Sequence, residues 1–349
     1  MKYRTLGKTN LKVAEVGMGT WQLAGKPWGW DAPNEAESLK SLYRYVELGG
    51  NFIDTAYVYG RADKPGEESG SHTSEELIGR FLKESGYVGK IIIASKIPPK
   101  NRFWPAHFGI SISEVFPSDY IETMVDASLK ALNINTIDLM QFHVWQDDFV
   151  KDDGWKNTIQ KITKKGKVKH WGISINDYQP GNCLKTLDTG LISTVQFIFN
   201  IFHQKPTEKL LPYAQKHNIG LIARVPLDEG GLTGRLTLDS KFTDDMRSVY
   251  FSPDRLKELV PRIQALEKLL GNEAKTLPEI ALRYLLSWNA LSTVIPGTRK
   301  VKYVNVNTSI SDGRKLSEKL MTELKNHAWE RNFYVDLDPA LKTQGYVEV

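Results

Sequence analysis

Ile91-Ile92-Ile93-Ala94-Ser95 is a short run without a charge, closed by Lys96. An unbroken apolar run of this length suits a strand buried on both faces, as in a parallel sheet. Similar runs lie on either side of it. Val16-Gly17-Met18-Gly19 and Asn51-Phe52-Ile53 precede it, and Ile137-Asp138-Leu139-Met140-Gln141 and Val168 to Ser174 follow. Ser193-Thr194-Val195-Gln196, Gly220-Leu221-Ile222-Ala223 and Ser292-Thr293-Val294-Ile295 complete the set. Helical signals fall between them. Thr73 and Glu76 have capping-box spacing ahead of the stripe Leu77, Ile78, Phe81 and Leu82. Ile121, Met124, Val125, Leu129 and Leu132 repeat the stripe after Pro117-Ser118. Thr276 and Glu279 mark a second such start, with Pro278 in the first turn, and Leu316, Leu320 and Leu324 mark a last helix. Eight strand signals alternating with helices predict an α/β fold, a (β/α)8 TIM barrel, as one domain over 1–349. The segment Tyr3 to Ala14 precedes the first strand and is expected to form a short hairpin over the barrel bottom. The tail 334–349 is expected to be a C-terminal surface extension.

Composition narrows the function classes. The chain has 349 residues, 41% hydrophobic and 25% charged, which is ordinary for a globular protein and argues against disorder. A net charge of +5 is too weak to imply nucleic acid. The start, Met1 to Gly7, has no apolar leader, and the longest uncharged run, Thr189 to Gln204, is too short and too polar for a membrane span. A single cysteine, Cys183, rules out an internal disulfide framework and fits a reducing compartment, so a cytoplasmic location is expected. The histidines show no metal-ligand spacing, so no metal is expected. No complete Gly-x-Gly-x-x-Gly follows a strand, and no tyrosine has a lysine four residues later.

In a parallel barrel the chemistry comes from the C-terminal ends of strands. Those ends place Asp54 after strand two, Lys96 after strand three and His143 after strand four. Tyr59 follows Asp54 by five residues, with Tyr57 as its local competitor. A phenol with pKa near ~10 is a poor acid until a neighbouring ammonium stabilises its anion. A carboxylate beside the ammonium holds it in place, and a histidine can orient a carbonyl oxygen. Such a set suits protonation of an oxygen that is gaining negative charge. Asp228 and Glu229 offer a rival carboxylate pair for a hydrolase, but adjacent loop residues rarely converge on one bond.

Over residues 1–333 the chain resembles the aldo-keto reductases. The resemblance is carried by Gly19-Thr20-Trp21, Asp54 to Gly60, Ala94-Ser95-Lys96, Gln141-Phe142-His143 and Trp171-Gly172-Ile173-Ser174. Val195-Gln196, Pro226-Leu227, Gly230, Leu232-Thr233-Gly234 and Ile295-Pro296-Gly297-Thr298-Arg299 continue it. It implies reversible, NADPH-dependent reduction of an aldehyde or ketone to an alcohol. Tyr59 is then the general acid, Lys96 depresses its pKa, Asp54 pairs with Lys96, and His143 positions the substrate oxygen. By the same resemblance, Ser174 and Gln196 hold the nicotinamide carboxamide, and Asn176 is counted among the cofactor-binding residues. Leu227, Gly230 and Leu232 strap the pyrophosphate, and Arg299 grips the 2′-phosphate. Gly19, Thr20, Trp21, Gly297, Thr298 and Asn307 belong to the same cofactor motifs. The substrate is a small carbonyl compound, and Trp21, Trp104 and Phe108 are its expected contacts. The family fold can also serve as a cofactor-binding regulatory subunit with very slow turnover.

The chain departs from the family pattern at several points. Ile175 separates Ser174 from Asn176, Arg224 stands where an aromatic often stacks on the nicotinamide, and Tyr303 and Val306 replace common polar residues. Two long loops, Arg61 to His72 and Ile97 to Pro117, follow Tyr59 and Lys96 at the face where substrate choice is set.

Overall fold

A computed structural model describes residues 1–25, 34–60, 73–242 and 246–329. The loop 61–72 and the tail 334–349, both singled out in the sequence, lie outside the described residues. Among the described residues there are ten strands: β1 Tyr3–Thr5, β2 Lys12–Ala14, β3 Met18–Gly19, β4 Phe52–Asp54 and β5 Ile92–Ile97. They continue with β6 Ile137–Trp145, β7 Val168–Ile175, β8 Thr194–Ile198, β9 Gly220–Arg224 and β10 Thr293–Val294. The strands β3 to β10 form one sheet in sequence order, every neighbouring pair parallel. Parallel bridges Val16–Val294 and Gly19–Gly297 join its first and last edges and close the barrel. The Gly17 amide donates to the Val294 carbonyl at 2.8 Å across that seam.

The helices begin where the sequence signals them. Helix Ser74–Ser85 starts on a complete Thr73–Glu76 capping box. Helix Ser118–Leu132 follows Pro117, as its stripe required. At helix Leu277–Leu286 the Thr276 hydroxyl accepts from the Glu279 amide, but the Glu279 carboxylate returns to the Lys275 amide at 2.8 Å instead of that of Thr276. The reciprocal bond of the box is thus moved one residue back. The last described helix, Glu318–Lys325, contains Leu320 and Leu324 and leaves Leu316 ahead of it.

Side chains alternate across each strand, so every second residue faces the barrel axis. Phe52, Ala94, Leu139, Ile222 and Ile295 form an apolar layer there, and Leu6 and Val13 of the β1–β2 hairpin pack into it from below. The hairpin turn docks on the bottom rim, where the Lys8 amide donates to the Asn218 carbonyl at 2.7 Å. Gly7 has φ +50°, and a Cβ there would lie 2.1 Å from the Gly220 nitrogen, so only glycine lets the plug seat this closely. With the bottom sealed by hydrocarbon, the polar residues further along the same strands gather at the opposite mouth.

Leu6 is wholly buried in this plug. Leu6→Ala is expected to destabilise the fold by roughly 2–5 kcal/mol through lost burial and the cavity left behind. The midpoint of urea unfolding would show it, and a shift equivalent to less than about 1 kcal/mol would contradict the plugged-barrel description.

Candidate active site

The axis-facing residues of β4, β5, β6 and β8 turn polar one step above the apolar layer. Asp54, Lys96, Gln141 and Gln196 sit there, all buried. Lys96 pairs in register with Gln141, and His143 with Ser174 and then Gln196. An ammonium has three protons to place. The Nζ of Lys96 donates to Asp54 Oδ1 at 2.5 Å, to the Thr55 carbonyl at 2.8 Å and to the Tyr59 hydroxyl oxygen at 3.4 Å. All three protons are therefore assigned. The other carboxylate oxygen, Asp54 Oδ2, accepts from Gln196 Nε2 at 2.7 Å and from Gln141 Nε2 at 3.3 Å. A Cβ on Gly172 would fall 2.2 Å from Thr194 Oγ1 and 3.1 Å from Gln141 Cγ, so the absence of a side chain at that position makes room for the Gln141 stem.

Of the two tyrosines in the Asp54-to-Gly60 segment, Tyr59 brings its hydroxyl to Lys96. Its oxygen accepts the Lys96 proton, which leaves its own O–H to donate elsewhere. The Lys96 ammonium pulls the Tyr59 pKa down, as expected, but it is not the largest influence. Burial pushes the Tyr59 phenol above its ordinary value, and the opposing pull of the Lys96 ammonium does not overcome this. His143 is held well below the ordinary imidazole value, first by burial and then by the positive charges of Lys96 and Arg224. Its Nδ1 is buried without a hydrogen-bond partner among the described residues. The mouth thus holds a neutral phenol and a neutral imidazole beside one ammonium–carboxylate pair.

Two tryptophans flank this pair. The Trp21 ring lies 6.3 Å from that of Tyr59, and Trp104 meets His143 edge to face at 4.3 Å. Phe108 is half-buried in the same loop as Trp104.

The residues expected at the cofactor are placed unevenly. Ser174 Oγ is buried with no partner among the described residues, an orphan hydroxyl at the mouth that fits a polar ligand group. Leu227, Gly230 and Leu232 lie in or next to the short turn Asp228–Thr233 after β9, where Gly230 takes φ +114°. Gly19 and Gly297 form the barrel seam, with Arg299 half-buried just beyond it.

Other expected contacts are engaged within the protein. The Thr20 hydroxyl donates to the Asp54 carbonyl at 2.8 Å and accepts from Ser74 at 2.7 Å. Asn307 braces Thr298 at 3.3 Å. Gln196 turns its amide nitrogen inward to Asp54. Leu232 is wholly buried, and Asn176 gives its amide to Ala106, with Oδ1 accepting at 2.9 Å and Nδ2 donating at 2.8 Å. Asn176 lies just past the end of β7 at Ile175, where it meets the neighbouring loop.

Three further residues carry no role from the sequence, although Gln141 lies in one of the family motifs and Arg224 is among the departures from the family pattern. Gln141 was legible from the two-residue strand period that also selects His143. Arg224 faces the axis at the end of β9, donates to the Ile175 carbonyl at 3.0 Å and pairs with Asp177. Arg235 directly follows the Leu232-Thr233-Gly234 motif and reaches helix Val301–Ser309, donating to the Tyr303 hydroxyl at 2.5 Å. Burial alone would raise the Tyr303 phenol, but Arg235 and Lys302 bring it below its ordinary value. Positive charge therefore gathers at this end of the mouth. Among the described residues no His, Cys, Asp and Glu cluster is arranged to hold a metal, and no helix is long and apolar enough to cross a membrane.

Comparison with known proteins identifies the family and the fold. The model of the Aldo/keto reductase family matches residues 15–328. The chain is 28% identical over 308 residues to Aldo-keto reductase YhdN of Bacillus subtilis, covering 86% of each chain. It is 23% identical over 334 residues to the NADH-specific methylglyoxal reductase of Escherichia coli, covering 91% of this chain and 98% of that one. Among solved structures, the glycerol dehydrogenase AKR11B4 of Gluconobacter oxydans superposes with a TM-score of 0.73 at 25% identity, over 93% of this chain and 94% of that one.

Because its folded value lies below its ordinary one, His143 is expected to stay neutral as pH falls through 6.5. Removing a nearby positive charge with Arg224→Met is expected to raise its midpoint. NMR titration of the ring would follow both, and a midpoint at or above 6.5 in the unaltered protein would contradict the described environment.

Proposed function

The chain belongs to the aldo/keto reductase family, NAD(P)H-dependent oxidoreductases acting on carbonyl groups, and on that footing we propose that it reduces an aldehyde or ketone to an alcohol with Tyr59 as the proton donor. The observation that carries the reading is the assignment of the three Lys96 protons. With Lys96 donating to its oxygen, the Tyr59 O–H is left to donate to a substrate oxygen.

When bound, the nicotinamide supplies a hydride to the carbonyl carbon. Charge then builds on the carbonyl oxygen, and the Tyr59 O–H transfers its proton there. Lys96 stabilises the phenolate that this leaves behind, and Asp54 keeps the ammonium in place. His143, neutral, holds the oxygen as a hydrogen-bond donor. Preoriented donors of this kind favour the developing oxyanion over the ground-state carbonyl, and no solvent has to reorganise around it. Reoxidation of the alcohol uses the same groups in reverse.

Ser174 would meet the carboxamide, the Leu227-to-Leu232 turn would cover the pyrophosphate, and Arg299 would take the 2′-phosphate. The fork of donors on a guanidinium suits a phosphate, and Arg235 and Lys302 add positive charge nearby. These cations favour NADPH over NADH, although one relative of comparable length is named as NADH-specific. The substrate is a small carbonyl compound, received in one barrel domain between Trp21 and Trp104. A cytoplasmic location fits the lone, buried Cys183.

Tyr59→Phe is expected to lower steady-state carbonyl reduction by about 10²–10⁴-fold while NADPH binding, read by quenching of protein fluorescence, stays near its original value. Unchanged turnover would remove Tyr59 from the mechanism. Arg299→Ala is expected to weaken NADPH by about tenfold to a hundredfold and to leave NADH nearly unaffected. Equal losses for both cofactors would place the 2′-phosphate elsewhere.

A further inference from the structure

The loop that follows β5 is held over the mouth from the far side, by the segment that follows β7. Asn176 is buried, 2% exposed, and its side-chain amide pairs with both backbone groups of Ala106. The donor and acceptor of one amide facing the N–H and carbonyl of one residue reproduce the two-bond pattern of paired strands. Asn176 Nδ2 also donates to Gln179 Oε1 at 3.2 Å, which fixes the amide from behind. Two residues before Ala106, Trp104 stands edge-on to His143 at 4.3 Å and 83°. Trp104 keeps 38% of its surface open, so one side of the indole rests on the imidazole while the rest faces solvent.

We infer that Asn176 is a positioning residue for substrate selection, clamping Ala106 so that Trp104 stays against His143 and forms a fixed aromatic wall for flat, aryl-type carbonyl substrates. The inference rests on the proposed function, in which His143 receives the carbonyl oxygen. It also gives Asn176 a different task from the cofactor contact that the family pattern implies. An indole held beside the oxygen-binding imidazole offers a planar apolar surface to a ring attached directly to the carbonyl. A short aliphatic aldehyde cannot reach across that surface, so it has little to lose when the wall is released.

The test compares benzaldehyde with propionaldehyde in the full-length protein loaded with NADPH. Trp104→Ala is expected to raise KM for benzaldehyde relative to propionaldehyde by about tenfold, with kcat less affected. Asn176→Leu is expected to shift that ratio the same way and to add nothing further in the Trp104→Ala background, since both changes act through one wall. NADPH affinity should not change in Asn176→Leu, and hydrogen exchange at the Ala106 amide should accelerate. Asn176→Asp keeps the acceptor and loses the donor, and it is expected to give a smaller shift of the same sign should the leucine variant fail to fold. Weakened NADPH binding with an unchanged substrate ratio, additive effects of the two substitutions, or unaltered exchange at Ala106 would each overturn the inference. Absence of any carbonyl turnover by the unaltered protein would instead count against the proposed function, and the exchange measurement reads the clamp without turnover.

Discussion

The mouth of this barrel depends on one ion pair, Lys96 with Asp54, whose side chains are 0% and 3% exposed. Burying two charges costs several kcal/mol per ion, and their attraction offsets this only when the geometry is complete. Here it is complete on both sides. The ammonium meets a carboxylate, a carbonyl and a phenol, while two glutamine amides saturate the far carboxylate oxygen. Those partners come from β4, β5, β6, β8 and the turn after β4, so the pair is satisfied only where the strands keep their register and the barrel is closed. The ion pair and the closed sheet are thus mutually dependent, and the hydrocarbon plug below them keeps water from entering by the other end.

Around that pair the two groups facing the cleft are both neutral, for different reasons. Burial raises the Tyr59 phenol, and burial together with two cations lowers the His143 imidazole. A neutral phenol holds its proton until an oxygen beside it becomes basic, and then the ammonium behind it stabilises the anion it turns into. In the proposed reaction the help from Lys96 would be greatest as charge moves, which is where an interaction speeds a reaction and does not simply tighten binding. A simple expectation that the lysine acidifies the resting tyrosine omits the desolvation that accompanies bringing both groups out of water.

The short segment after β7 organises the rim. The Ile175 carbonyl accepts from Arg224, Asp177 pairs with the same guanidinium, and Asn176 holds Ala106. Three consecutive residues therefore connect the end of β9 to the loop after β5, across the cleft from Tyr59. Ile175 stands between Ser174 and Asn176, with the serine hydroxyl at the mouth and the Asn176 amide on the neighbouring loop. The serine hydroxyl and the clamping amide are separated here by one residue of chain.

The sequence by itself determined the alternation of strands and helices, the hairpin at the bottom, and the positions of Asp54, Lys96 and His143 at three successive strand ends. Those features follow from local hydrophobic period, turn chemistry and the rule that strand ends face one rim. Tertiary structure decided what no local pattern encodes. It chose Tyr59 over Tyr57 by bringing one hydroxyl to the lysine, and it turned Gln196 inward to Asp54. It also set the balance between burial and charge that keeps the phenol neutral. Asn176 shows the limit most plainly, for its family position pointed to a cofactor, whereas its partner lies 70 residues away along the chain. Hydrogen bonds between distant segments depend on how loops cross in space, and residue order carries that information only through the completed fold.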